Sequence, residues 1–146
     1  MKRKILFQSV IIAILMFLFS GCANRAVVNR NPSFDISGIK SIHIQNSDGG
    51  GDELIPIISN KLKDLGFMDI TIGDNVAPTA DAVITYRDKW MWDITMYMIE
   101  LTITVRDKNS WTPIATGNSM HTSLTRKSEE EMVDEVLTNI FNNRRI

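Results

Sequence analysis

The side chains that could do chemistry at neutral pH are few in this chain. His43 and His121 are the only histidines, and Cys22 is the only thiol. Neither histidine lies beside a Gly-x-Ser-x-Gly elbow or beside a second histidine at metal-ligand spacing. Because no nucleophile can be paired with a base, the sequence predicts a protein that is not an enzyme, with no catalytic residue, no metal and no cofactor.

Two other motifs have simple structural explanations. The glycines at 49–51 stand between a predicted strand and a predicted helix, where phosphate-binding loops occur. They lack the Lys-Ser/Thr of such a loop, and Asp48 and Asp52 would repel an anion, so we interpret them as a connection. The acids at 129–131 could suggest acid-base chemistry, but acids in a first helical turn complement the helix dipole.

Residues 90–98 hold the most unusual side chains, with three methionines and two tryptophans. Period-two alternation predicts that Trp90 and Trp92 face the core and that Met91, Met96 and Met98 lie on the opposite, exposed face. Exposed methionines on a hairpin are typical of adaptable protein-binding surfaces, and thioethers also bind Cu(I). We predict Met91, Met96 and Met98 as partner-binding residues. The alternatives are that a helix, a tether or another subunit covers them, or that they bind a soft metal.

Cys22 closes an N-terminal segment that has the three parts of a secretory signal. A basic start at 2–4 precedes ten apolar residues at 10–19 and two small residues at 20–21. A bilayer span needs roughly 20 apolar residues. The segment therefore indicates a signal peptide over residues 1–21, with an uncleaved membrane anchor as the alternative.

The run Leu-Phe-Ser-Gly-Cys at 18–22 resembles the lipobox of bacterial lipoproteins. In that class, signal peptidase II cleaves before the cysteine, which carries acyl chains such as palmitate. The resemblance implies that Cys22 is lipidated and becomes the mature N-terminus. One acyl chain holds a protein marginally, whereas several hold it stably. Ala23, which follows the cysteine, implies by the same resemblance an outer-membrane protein that faces the periplasm.

The mature chain has no electrostatic signature of nucleic acid binding. Removing residues 1–21 takes three basic and no acidic side chains from the total of 16 Lys+Arg and 17 Asp+Glu, so the remainder is mildly acidic. Its length fits one domain, and no cysteine remains after Cys22 to form an intrachain disulfide. We expect a domain stabilised by packing alone.

Residues 22–33 show neither helical nor strand periodicity and are predicted to form a tether, and hydrophobic periodicity predicts one domain over 34–146. The predicted order is β-α-β-β-β-β-α, an α+β fold with a single mixed, mainly antiparallel sheet and two helices on one face. Strand-like alternation is clearest in the two strands of the hairpin that turns at 93–95. A capping box of Ser128 and Glu131 predicts the start of the closing helix.

Residues 37–141 resemble small bacterial lipoproteins of uncharacterised function. Two motifs carry the resemblance: an Ala-Asp-led strand at 80–86, and a Leu-rich helix that ends in Gly-Phe, with Leu62, Leu65, Gly66 and Phe67. The element order also resembles periplasmic lipoprotein domains that assist outer-membrane assembly or secretion. The resemblance implies a lipid-anchored, non-catalytic module that binds another envelope protein through a sheet edge or the hairpin. The alternative is a periplasmic lipoprotein that binds a small ligand or a metal.

Overall fold

The computed structural model describes residues 25–46 and 49–142. Cys22 and the predicted signal peptide over residues 1–21 lie outside these ranges. Within them, one mixed sheet and two α-helices form the predicted α+β architecture. The strands are β1 Arg25–Arg30, β2 Ser41–Ile44, β3 Asp69–Ile72, β4 Ala82–Trp92, β5 Met96–Asp107 and β6 Pro113–Met120, and the helices are α1 Leu54–Asp64 and α2 Glu129–Phe141.

The sheet is open, with the strand order β1-β6-β5-β4-β2-β3. β2 pairs in parallel with both β3 and β4, and the remaining pairs are antiparallel. The helix α1 makes the crossover between β2 and β3 that a parallel pair requires. Neither helix in the described part of the chain is long and apolar enough to cross a membrane.

Both helices pack on the same face of the sheet, and the core lies between them and the strands. Leu54, Ile58 and Leu62 of α1 and Val136 and Ile140 of α2 are fully or almost fully buried there. A β-carbon at Gly117 of β6 would lie 2.7 Å from Cγ1 of Val136. The missing side chain therefore lets α2 approach the sheet closely.

Both helices have the end signals that the sequence indicates. The Ser128 hydroxyl accepts from the Glu131 amide at 3.2 Å, and the Glu131 carboxylate accepts from the Ser128 amide at 2.8 Å, which confirms the capping box. After α1, Gly66 has a φ of +87°, and the amide of Phe67 donates to the carbonyl of Leu62 at 3.0 Å. This is a Schellman ending, which favours glycine at the left-handed position.

The strand β1 lies within the segment that the sequence predicts as a tether. It pairs with β6 from Arg25 opposite Met120 to Arg30 opposite Ala115. The Arg30 guanidinium donates to the last carbonyls of α2, at 2.7 Å and 3.0 Å. An ordered edge strand thus begins three residues after Cys22.

Candidate functional site

The β4–β5 hairpin places its methionines and tryptophans differently from the prediction. Met91 and Met96 are exposed as expected, but Met98 is buried, with 2% of its surface exposed. Trp90 packs against the core, whereas Trp92 is 69% exposed. The predicted exposure is therefore wrong for Met98, and the predicted burial is wrong for Trp92.

An irregularity in the pairing of β4 with β5 explains the change at Met98. Lys89 pairs with Glu100, but the next residue, Trp90, pairs with Met98, so Ile99 is an extra residue on β5. A β-bulge of this kind shifts the alternation of side chains by one position. Met98 consequently faces the core, and Met91 and Met96 lie on opposite faces of the hairpin.

Four large apolar side chains are exposed at the end of this hairpin, and we call them the apolar tip. They are Trp92, Ile94, Met96 and Leu124. The first three belong to the two strands and their turn, and Leu124 belongs to the 3-10 turn Ser123–Thr125 that follows β6. Exposed clusters of apolar residues commonly mark surfaces that contact a partner or a membrane.

Polar contacts hold the apolar tip against the Ser123–Thr125 turn. The Asp93 carboxylate accepts from the Ser123 hydroxyl at 2.7 Å and from the Arg126 guanidinium at 3.1 Å. Arg126 also donates to the Thr95 hydroxyl at 2.7 Å and lies 4.1 Å from the centre of the Tyr97 ring. The hydrogen bond from Ser123, reinforced by Arg126, holds the pKa of Asp93 below its usual value. The turn thus fixes its polar groups to the protein while its apolar side chains remain outside.

A partly buried polar cluster joins β6 to α2. The Glu135 carboxylate accepts from the Ser119 hydroxyl at 2.6 Å and from the Lys127 amine at 2.7 Å, and His121 Nε2 lies 2.9 Å away. Burial alone would raise the pKa of Glu135, but the hydrogen bonds from Lys127, Ser119 and His121 outweigh it and lower the pKa to about 2. The sequence predicts His121 as a surface residue, whereas it is 5% exposed.

The geometry of this cluster differs from that of a catalytic triad. In a triad the serine hydroxyl donates to the histidine and the acid orients the histidine. Here Ser119 is fully buried and donates directly to Glu135. The hydrogen bond from Ser119 instead connects β6 directly to Glu135 of α2. The other histidine, His43, is also buried in the sheet, with its ring nitrogens 2.8 Å from the Thr71 hydroxyl and 2.9 Å from the Gly73 carbonyl.

The glycine loop packs over Tyr86. The Gly51 amide donates to the Asp88 carboxylate at 2.8 Å, and the Tyr86 hydroxyl donates to the Gly51 carbonyl at 3.2 Å. A β-carbon at Gly50 would lie 2.4 Å from the Tyr86 ring. Burial, together with nearby acids that include Asp52 and Asp88, raises the pKa of Tyr86 to about 12. The Gly51 amide already binds a carboxylate, and the surrounding acids repel anions. The loop is therefore a poor site for phosphate.

The sheet face away from both helices is polar, and we call it the helix-free face. Asn118 donates to Glu100 and to Thr102, each at 2.9 Å, and the hydroxyls of Thr104 and Thr116 lie 3.4 Å apart. In the described part of the chain, no three His, Cys, Asp or Glu side chains are grouped so that they could hold a metal ion. The register places side chains from all six strands on this side of the sheet: Val27, Asn118, Thr102, Thr85, Met91, His43 and Thr71. Of these, Thr85 and His43 are buried.

Comparison with known proteins yields structural similarity alone. No protein-family model matches the chain, and no curated protein sequence matches it. A methionine-substituted PelC dodecamer from Paraburkholderia phytofirmans is similar, with a TM-score of 0.56 and 14% identity over 82% of this chain and 96% of that chain. A second PelC dodecamer structure from the same organism has a TM-score of 0.53 and 15% identity over 82% and 95% of the two chains. At this identity, the similarity shows that the chain shares the fold of PelC.

Proposed function

We propose that this chain is a lipid-anchored envelope protein that binds another envelope protein without catalysis. The observation that carries the proposal is the helix-free face, which neither helix covers. Val27 and Met91 are exposed there and Thr102 and Asn118 are partly exposed, whereas His43 and Thr85 are buried within it. Protein interfaces are about as polar as the rest of a protein surface, so a broad face of threonine, asparagine and methionine is suited to such contact. Small-ligand sites, in contrast, are concave and mostly apolar.

The lipid anchor in this proposal is supported by the N-terminal sequence. Cys22 follows a short apolar segment and the small residues at 20–21. Acyl chains on Cys22 would hold the domain at the periplasmic face of the outer membrane. Since β1 begins at Arg25, the domain would lie close to the lipid.

The similarity to PelC supports a role in assembly. PelC has this fold and forms dodecamers. By analogy with PelC, we propose that this domain also joins protein chains. The proposed partner is either a second copy of this chain or a different envelope protein, and an experiment can distinguish the two.

Site-specific photocrosslinking in intact cells tests the proposal. A photoreactive amino acid at Val27, Met91 or Thr102 probes the helix-free face, and the same amino acid at Asn60 or Asp64 probes the outer side of α1 as a matched control. We expect a discrete adduct from the helix-free positions and none from the α1 positions. An adduct at twice the mass of the chain would identify a second copy as the partner.

Two results would count against this function. Adducts that form from α1 but not from the helix-free face would move the binding surface to the helices. If the unmodified chain and Cys22→Ser both fractionate with soluble periplasmic proteins, the proposed lipid anchor is wrong. Acylation is checked directly by labelling cells with a radioactive fatty acid.

A further inference from the structure

The apolar tip and the start of β1 lie at the same end of the sheet. Arg25 pairs with Met120, Met120 pairs with Glu100, and Glu100 pairs with Lys89, so these four residues form one row across the sheet. The hairpin continues beyond this row for three more residues of β4, up to Trp92. At about 3.3 Å per residue, the apolar tip projects roughly 10 Å past the row.

Cys22 is within reach of the same level. It precedes Arg25 by three residues. Three residues span at most about 11 Å, so the α-carbon of Cys22 is within about that reach of the row that contains Arg25. A lipid held by Cys22 therefore brings a bilayer to the end of the sheet from which the apolar tip projects.

From this juxtaposition we propose that the apolar tip inserts into the surface of the bilayer that holds the acyl chains of Cys22. The inference rests on the proposed lipid anchor. The domain then stands on the membrane with the hairpin end down, and the helix-free face points sideways into the periplasm, where a partner can reach it. The opposite end of the sheet, which includes Met68 before β3, points away from the bilayer.

The chemistry of the apolar tip fits a lipid surface. Tryptophan favours the membrane–water interface because its ring is apolar while its indole N–H can bind water or a head group. Ile94 and Leu124 are each 86% exposed, and polar side chains beside Ile94 are already paired, Asp93 with Ser123 and Thr95 with Arg126. Arg25 and Lys89, in the row behind the hairpin, are exposed cations that suit the phosphates of head groups.

The small size of the apolar tip and its proximity to the acyl anchor favour lipid over a protein as the partner of the tip. A stable protein interface buries about 1,200 Å² or more, which four side chains at a projecting tip do not supply by themselves. Insertion of the tip needs no such area, because the acyl anchor makes its contact with the bilayer intramolecular. A weakly favourable transfer of these side chains is then sufficient to orient the domain.

Fluorescence in reconstituted vesicles tests the orientation. The full acylated chain is placed in vesicles of phosphatidylethanolamine and phosphatidylglycerol, with an environment-sensitive fluorophore on Ile94→Cys or, as the matched control, on Met68→Cys. Both native side chains are apolar and highly exposed, at 86% and 93%, but they lie at opposite ends of the sheet. We expect a blue-shifted emission at position 94 and several-fold stronger quenching there by nitroxide-labelled lipids than at position 68.

Each possible outcome separates this inference from the proposed function. Equal quenching at positions 94 and 68 in an acylated chain overturns insertion of the tip but leaves the lipid anchor and the crosslinks of the helix-free face intact. Shielding at position 94 in cells but not in vesicles means that a protein covers the tip, and this also overturns the inference. A chain without acyl groups on Cys22 overturns both proposals, since nothing then holds the tip at a bilayer.

Discussion

The two faces of the sheet are made by the same strands, yet they differ in chemistry. On β5, Leu101 and Ile103 are fully buried under the helices, whereas Thr102 between them faces the helix-free side and binds Asn118. The covered face thus carries the apolar core cluster, and the helix-free face carries mainly polar side chains, short ones such as Thr102 and long ones such as Glu100. The difference indicates that the apolar core lies on one face, while exposed positions of the other face, such as Val27 and Met91, are available to a partner.

The largest expected effect contrasts neighbouring residues of β5. Leu101→Asp should reduce the free energy of unfolding by several kcal/mol, at least about 3, because it places an unpaired charge in the core. Thr102→Asp should cost about 1 kcal/mol or less, since its side chain points to the helix-free face. Chemical denaturation measures both. Equal losses would show that the two faces do not differ as described.

A second contrast locates the point on the hairpin where the core ends. Met98→Ala should cost about 2–5 kcal/mol, because it leaves a cavity beneath the helices. Met96→Ala should change the free energy of unfolding by no more than about 0.5 kcal/mol, since Met96 is exposed in the apolar tip. Thermal and denaturant melts of the two variants should rank them in this order. The reverse order would show that the bulge is not at Ile99.

Acid should weaken the polar cluster under α2, which is the exception on the covered face. The pKa of Glu135 is about 2 in the folded protein and 4.5 in its model value, so its stabilising contribution is complete above 4.5 and is lost as the pH falls toward 2. Linkage limits this contribution to about 3 kcal/mol. Glu135→Gln should be less stable at neutral pH and should show a smaller decrease between pH 5 and pH 2 than the unmodified chain. An unchanged pH profile would contradict the lowered pKa.

The smallest expected effect tests the close approach of α2 to β6. Gly117→Ala should cost about 1–3 kcal/mol because the new methyl group meets Val136 and Ile140. Gly38→Ala is the matched control, since a β-carbon there has no heavy atom within 4 Å. Comparable melts for the two variants would mean that the helix moves away from the sheet at little cost.

The parts of the fold that were predictable depend on local signals. The capping box at Ser128, the glycine stop at Gly66 and the long alternation in β4 and β5 are each complete within a short stretch of sequence. The α+β class follows from their order, and the structure confirms it. The apolar periodicity of α1 and α2 was likewise sufficient to place both helices on one face.

The parts that were missed depend on contacts between distant residues. β1 is an edge strand that pairs with β6, and Arg30 contacts α2. Neither interaction produces a periodic pattern in the sequence. The bulge at Ile99 carries no glycine or proline to reveal it, so alternation alone placed Met98 on the wrong face. The burial of His121 depends on Glu135 in the closing helix. The lipidation of Cys22 stays a prediction, as does the partner-binding role of the exposed Met91 and Met96.

The pairing of β1 with β6 has a mechanical consequence. A partner that pulls the domain away from the membrane would transmit tension to Cys22 through Arg25, the first residue of β1. That tension would act along the strand, so the six registered pairs between Arg25 and Arg30 would carry the load together in shear. A ladder loaded in this direction resists rupture better than one peeled open pair by pair. The edge strand would thus connect the folded domain mechanically to the acyl anchor in the membrane.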